Sequence, residues 1–364
     1  MTVLPPISKK RLKESCRRAA GARRGEKVDR VPILIWSCGA PAKFFGYPIK
    51  KILDDFKLNA ELTLSSYEAW GWDVPPFICG EGYLNSGTED IGGKLVFPDD
   101  NFSLLIEPAC KTAEDVERYE IPDIQEMRKR GAMDREIEAY NYVRDKYDFE
   151  PPWLPTTCGT PTINGNFVSH ENMFKWMATD PALAKKVNKI HTELQSMRVK
   201  YAIEEINPTR PAMIFVTDFA DEVMSPKHWE EYVLPVYNEW AKVAKENGCT
   251  LMYHLCGDHR LVLKQGLVDK LHNVGLLHIC SEVDIKEVVE RFGDKYLIAG
   301  NMPLESYRFG TAMDAYDEAK RQVEIGKQCE KGFWLLAECD YAVDTPHGQA
   351  YAISKAVRDH GRFE

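Results

Sequence analysis

The segment His254-Leu255-Cys256-Gly257 carries an imidazole and a thiol two residues apart, and a further cysteine, Cys339, follows far downstream. At the end of a β-strand, side chains two apart face the same side. Such a pair can grip one soft divalent cation, and Cys339 would add a second thiolate from a remote segment. Structural zinc usually closes with four protein ligands, whereas catalytic zinc leaves one position for water or substrate. Three soft ligands therefore read as an open zinc site. The competing reading treats cysteine as an ordinary small buried hydrophobe, and ten cysteines leave room for chance proximity. The elements that carry these residues decide between the two.

Short apolar runs alternate with long amphipathic ones. The pattern predicts strands at 31–36, 72–77, 153–158, 212–217, 250–254, 276–280, 296–299 and 333–337. It predicts helices at 8–26, 131–150, 226–247, 258–273, 284–292 and 314–331, the third opened by Ser225-Pro226, a cap followed by proline at the first helical position. Eight strands, each followed by helical material, predict an α/β chain folded as a (β/α)8 TIM barrel, with 1–364 as a single domain. An N-terminal helical extension precedes the barrel. The stretch 80–103, dense in Gly, Asn and Asp, predicts a hairpin-bearing insertion after the second strand.

Active sites of such barrels lie at the carboxyl ends of the strands. Asp218 ends the fourth predicted strand, His254 and Cys256 the fifth, and Cys339 follows the eighth. Glu282 follows the sixth and Asn301 the seventh, so all converge on one rim and favour the zinc reading. Asp218 and Asp221 are candidates to orient substrate or take a proton, or alternatively to cap the next turn. Asp73 is a similar candidate. Trp36 and Trp72, with Trp70 and Trp153, would line a pocket for a small, partly apolar substrate, or else fill the core. His259, His272 and His278 assemble into no set by spacing.

The bulk properties exclude other classes. Hydrophobic residues make up 44% and charged residues 28%, and the net charge is −9, so no broad basic footprint for nucleic acid exists. No run approaches the ~18–20 apolar residues of a membrane helix, and residues 1–10 lack the apolar core of a secretory signal. Scattered cysteines suit a reducing, cytoplasmic setting.

The chain resembles the uroporphyrinogen decarboxylase superfamily over nearly its full length. The resemblance rests on Arg24-Gly25-Glu26-Lys27-Val28-Asp29-Arg30-Val31-Pro32, Gly159-Thr160-Pro161, Asp218 to Pro226, and Val233-Leu234-Pro235. His254-Leu255-Cys256-Gly257, Gly300-Asn301-Met302 and Thr345-Pro346 complete the series in order. Within that superfamily the His-x-Cys…Cys set is similar to the zinc motif of cobalamin-dependent methyltransferases. These comprise the methylcobamide:coenzyme M enzymes and the substrate-specific demethylases.

The resemblance implies a TIM barrel with zinc held by His254, Cys256 and Cys339. It also implies Glu282 at the fourth position when substrate is absent, and Asn301 at the barrel rim hydrogen-bonding substrate. Glu338 and Asp340 flank Cys339 and compete with it on sequence alone. The decarboxylases' own Arg-Gln-Ala-Gly-Arg-Tyr stretch is replaced by Trp36-Ser37-Cys38-Gly39-Ala40-Pro41, which holds no arginine for a poly-anionic tetrapyrrole. No Asp-x-His-x-x-Gly cobalamin-ligating sequence is present, so the corrinoid would ride on a partner protein. The implied activity is zinc-dependent transfer of methyl from a small methylated, even methoxylated, substrate to the Co(I) corrinoid of that partner. The alternative is methylcobamide:thiol methyl transfer of the coenzyme M type, and the less favoured one is a decarboxylase-type lyase. Pairing into a homodimer is left open.

Overall fold

The computed structural model describes residues 4, 6–73, 85, 87–163, 165–210, 212–219 and 224–363. The expected insertion contains an antiparallel hairpin of β1 (Lys94–Val96) and β2 (Leu104–Glu107), whose second strand lies just beyond the expected boundary. Then come β3 (Trp153–Gly159), β4 (Met213–Phe219), β5 (Thr250–Cys256), β6 (Val274–Ile279), β7 (Ile298–Ala299) and β8 (Phe333–Trp334). These six run parallel in sequential order, and helices cover the sheet. Beyond β8 the sheet continues into the first expected strand: Ile33 bridges Leu335 in parallel, and Leu34 N–H donates to Leu335 O at 3.0 Å. The Asp73 N–H then donates to Ile33 O at 3.0 Å. The remainder of the second expected strand, 74–77, lies outside the described residues. The curled parallel sheet with its helical coat is a (β/α)8 barrel.

Side-chain parity divides the core in two. Leu34, Trp36, Trp153, Phe215, Met252, Leu276, Trp334 and Leu336 form one buried cluster inside the barrel. Their sequence neighbours Ile33, Ile35, Ile214, Val216, Leu251, Tyr253, Leu277 and Leu335 pack with Tyr237, Trp240 and Val288 of the surrounding helices. Alternation with period two forces this split. Burying one large apolar side chain contributes about 1.5–3 kcal/mol, so a one-residue slip of any strand would exchange its two faces and is strongly opposed.

Two expected helices are altered locally. The helix at 226–247 forms as Pro226–His228, a wide π-type turn at Trp229–Val233, and Leu234–Glu246. Pro235 donates no amide hydrogen, and its ring crowds the carbonyl four residues back. The wide turn relieves that crowding, with Leu234 N–H reaching Trp229 O. The helix expected over 258–273 reduces to Arg260–Lys264 and a short turn at Val268–Lys270. Gly266 between them takes φ +71°, the left-handed conformation that ends helices.

Candidate metal centre

β5 delivers His254 and Cys256 to the inner, upper end of the barrel, and the segment after β8 delivers Cys339. Their ligand atoms all lie within 4.8 Å of one another, with His254 buried and the cysteines partly exposed. Among the described residues this is the group able to hold a metal ion. Gly257, at φ +81°, lets the chain turn sharply away after Cys256.

The neighbouring strand repeats the pattern. His254 is registered beside His278 of β6, and Cys280 N–H donates to Leu255 O at 3.1 Å, carrying the ladder one step further. The second His-x-Cys, His278-Ile279-Cys280, therefore lies alongside the first. The two imidazoles stack with centroids 4.8 Å apart, and their Nδ1 atoms are 2.9 Å apart. Trp36 packs T-shaped against both rings, with centroids 5.3 and 5.2 Å away. Cys280 Sγ donates to Glu338 O at 3.0 Å.

Electrostatics keep these groups neutral. Burial pushes His254 below its ordinary value, opposed by the nearby Cys339 thiol, and pushes His278 down to about 3, opposed by the backbone of Ala337. Contact with the Cys280 thiol raises Cys256, with burial adding to the shift. Contact with Cys256, then burial, raises Cys339, while His254 opposes. Contact with Cys256 draws Cys280 down, and burial together with the neighbouring Cys339 and Glu282 charges outweighs it and leaves the thiol raised. Beside the trio, burial lifts the Asp340 carboxyl to about 7, although its Oδ1 accepts the Cys38 N–H at 2.8 Å.

The residues fit zinc. Two thiols and an imidazole are the donors that borderline-soft Zn2+ prefers. Moreover, His254 Nε2 is buried without a hydrogen-bond partner. An unsatisfied buried polar atom costs about 1–3 kcal/mol, and coordination would put that lone pair to use.

Other expected site residues sit apart from the trio, and three of them are held in buried hydrogen-bond networks. Asp218 occupies the outward parity of β4 with Ile214 and Val216. It accepts from Trp229 Nε1 and Tyr237 Oη, and lies 3.4 Å from His259 Nε2, so it ties the barrel to its helix. Asn301 also turns outward. Its Nδ2 donates to Val283 O at 2.9 Å and Cys280 O at 3.3 Å, and its Oδ1 accepts from Gln322 at 3.1 Å. It therefore pins the turn after β6. Asp73 is buried and accepts from Arg30 at 2.7 and 3.1 Å, Ser15 at 2.9 Å, Ile33 N–H at 2.8 Å and Arg18. It clamps the Lys9–Arg23 helix to the first strand.

Trp36 roofs the paired imidazoles, while Trp72 is buried against Tyr341 and donates to Ala350 O at 3.2 Å. Glu282 is exposed on the turn after β6. Asp221 lies outside the described residues. His278, Cys280 and His259 escaped the spacing argument; the repeated His-x-Cys, one strand apart, was the available signal for the first two.

The uroporphyrinogen decarboxylase (URO-D) family model matches residues 15–360. A curated relative, the methylated-thiol--coenzyme M methyltransferase of Methanosarcina mazei, is 26% identical over 276 residues, covering 70% of this chain and 67% of that protein. A solved methyltransferase from Methanosarcina mazei superposes with a TM-score of 0.77 at 21% identity, covering 94% of this chain and 97% of the other. That likeness is one of fold.

Proposed function

The chain belongs to the uroporphyrinogen decarboxylase family, in its methyltransferase branch, and from that premise we propose a zinc-dependent methyltransferase. It would move a methyl group between a small methylated substrate and the corrinoid of a partner protein. The observation that carries this reading is the convergence of His254, Cys256 and Cys339 within 4.8 Å at the barrel's active end. Those three residues would hold the zinc. Zinc bound there would lower the pKa of a coordinated thiol and stabilise a departing heteroatom as a Lewis acid.

The chain's own groups prepare that chemistry. Trp36 and the apolar barrel interior pack against the imidazoles. Asn301 fixes the turn that carries Cys280 and Glu282, and Glu282 offers an exposed carboxylate near the mouth. In methyl transfer the methyl leaves without its bonding pair, so the heteroatom retains the electrons and its developing charge must be stabilised.

A sulfur substrate is the second, sharper reading. Trp36 and Trp72 are engaged in packing, which removes the aromatic lining argument for a methoxyaromatic donor, and the curated relative is named for methylated thiols. The absence of arginine from 36–41 disfavours a poly-anionic decarboxylase substrate.

Two measurements test the proposal. Purified protein should contain zinc that Cys339→Ala loses, and a zinc-free wild type refutes the metal reading. Mixing with Co(I) or methyl-Co(III) corrinoid, plus methyl thioethers, methoxyarenes or thiols, should change the corrinoid spectrum with one pairing. No change with any pairing refutes methyl transfer.

A further inference from the structure

The stacked imidazoles His254 and His278 face each other through their Nδ1 atoms at 2.9 Å. Two lone pairs at that distance repel, so the contact holds one proton, carried by one ring and accepted by the other. Its position dictates both tautomers. If His254 carries it, His254 Nε2 is a bare lone pair and His278 must be protonated at Nε2. If His278 carries it, His254 Nε2 bears a hydrogen and cannot bind a cation. Both Nε2 atoms are buried without a hydrogen-bond partner by ordinary distance, and the backbone of Ala337 lies against the His278 ring. Ala337 belongs to the segment that leads into Cys339 and is bridged to Met302. His278 thus touches the strand of His254 on one side and the approach to Cys339 on the other, packed T-shaped against Trp36.

We propose that His278 is a positioning residue that locks His254 in the Nδ1–H tautomer, presenting Nε2 to the metal and linking two ligand-bearing segments. Metal-bound histidines nearly always donate their second ring N–H to a fixed acceptor, and losing that acceptor typically weakens metal binding 10–100-fold. Here the acceptor is a second neutral imidazole rather than a carboxylate or carbonyl. The inference rests on the zinc reading above.

The test compares wild type, His278→Phe and His278→Asn by zinc competition with a chromophoric chelator, alongside circular dichroism and thermal unfolding. Phenylalanine keeps an aromatic ring but offers no lone pair, and zinc affinity should fall about 10–100-fold. Asparagine can offer its amide oxygen near the lost Nδ1 and should recover most of that loss. Nitrogen-15 NMR of the zinc-loaded wild type, which requires no variant, should report His254 protonated at Nδ1 and His278 at Nε2. Folded His278→Phe that binds zinc as tightly as wild type, or His254 coordinated through Nδ1, overturns the inference alone. A wild-type chain that takes no zinc at all overturns the metal reading and this inference with it.

Discussion

Two of the buried polar clusters among the described residues differ in how completely their atoms are satisfied. Around Asp73, Arg18, Arg30, Ser15 and the Ile33 N–H saturate one carboxylate, and the result joins the N-terminal helix to the first strand. Around His254, an imidazole nitrogen is left without a hydrogen bond, and neighbouring thiols are held protonated by burial and by one another. The first arrangement needs nothing further. On the proposed zinc reading, the second would be completed by a cation that replaces two thiol protons and takes the spare lone pair. The saturated charge serves architecture, and on the zinc reading the incomplete neutral cluster is where a cation would bind.

The sharpest way to break this contrast is Cys339→Ala. Zinc should fall from about one per chain, the occupancy of a single mononuclear site, to near zero by metal analysis, with circular dichroism unchanged. Retained zinc would mean the trio is not the site. Asp73→Ala should do the reverse. Leaving Arg18 and Arg30 uncompensated should cost about 3–5 kcal/mol in denaturant unfolding, while the protein that remains folded still takes up zinc.

The pH dependence of zinc uptake probes the neutral cluster itself. Cys256 and Cys339 lie above their ordinary values and His254 below, so at neutral pH both thiols keep their protons and the imidazole has none to give. Zinc should therefore release two protons. Its affinity should climb about 100-fold per pH unit up to the thiol range and weaken as pH falls. Calorimetry in buffers of different ionisation enthalpy counts those protons, and a count near zero would contradict the protonated thiols. The smallest effect belongs to Asp218→Asn, which weakens bonds to Trp229, Tyr237 and His259. It should destabilise by about 1–3 kcal/mol while zinc affinity changes only slightly, and a collapse of zinc binding would return Asp218 to the site.

Much of this organisation was legible beforehand. The alternation of apolar runs marked the later barrel strands, and β3 to β6 lie within a few residues of their expected positions. Less legible were the ends of the first strand, β7 and β8. There, short ladders of two residues are stitched by bridges at Ile33 and Ala337, and pairing rather than propensity sets the limits. The proline-relieved turn before Pro235 and the break at Gly266 depend on single residues whose effect a helical period averages away.

Residue types and their order alone determined the barrel class, the family motifs and the three soft donors. Tertiary structure decided which polar residues face inward and which strands lie in register. Asp218 and Asn301 sit at strand ends as expected, yet their parity turns them toward helices. His278 and Cys280 came beside His254 and Cys256 because the β5–β6 ladder aligns the two His-x-Cys runs. Parity and register arise from inter-strand hydrogen bonds and burial summed over the whole sheet, which no local spacing contains.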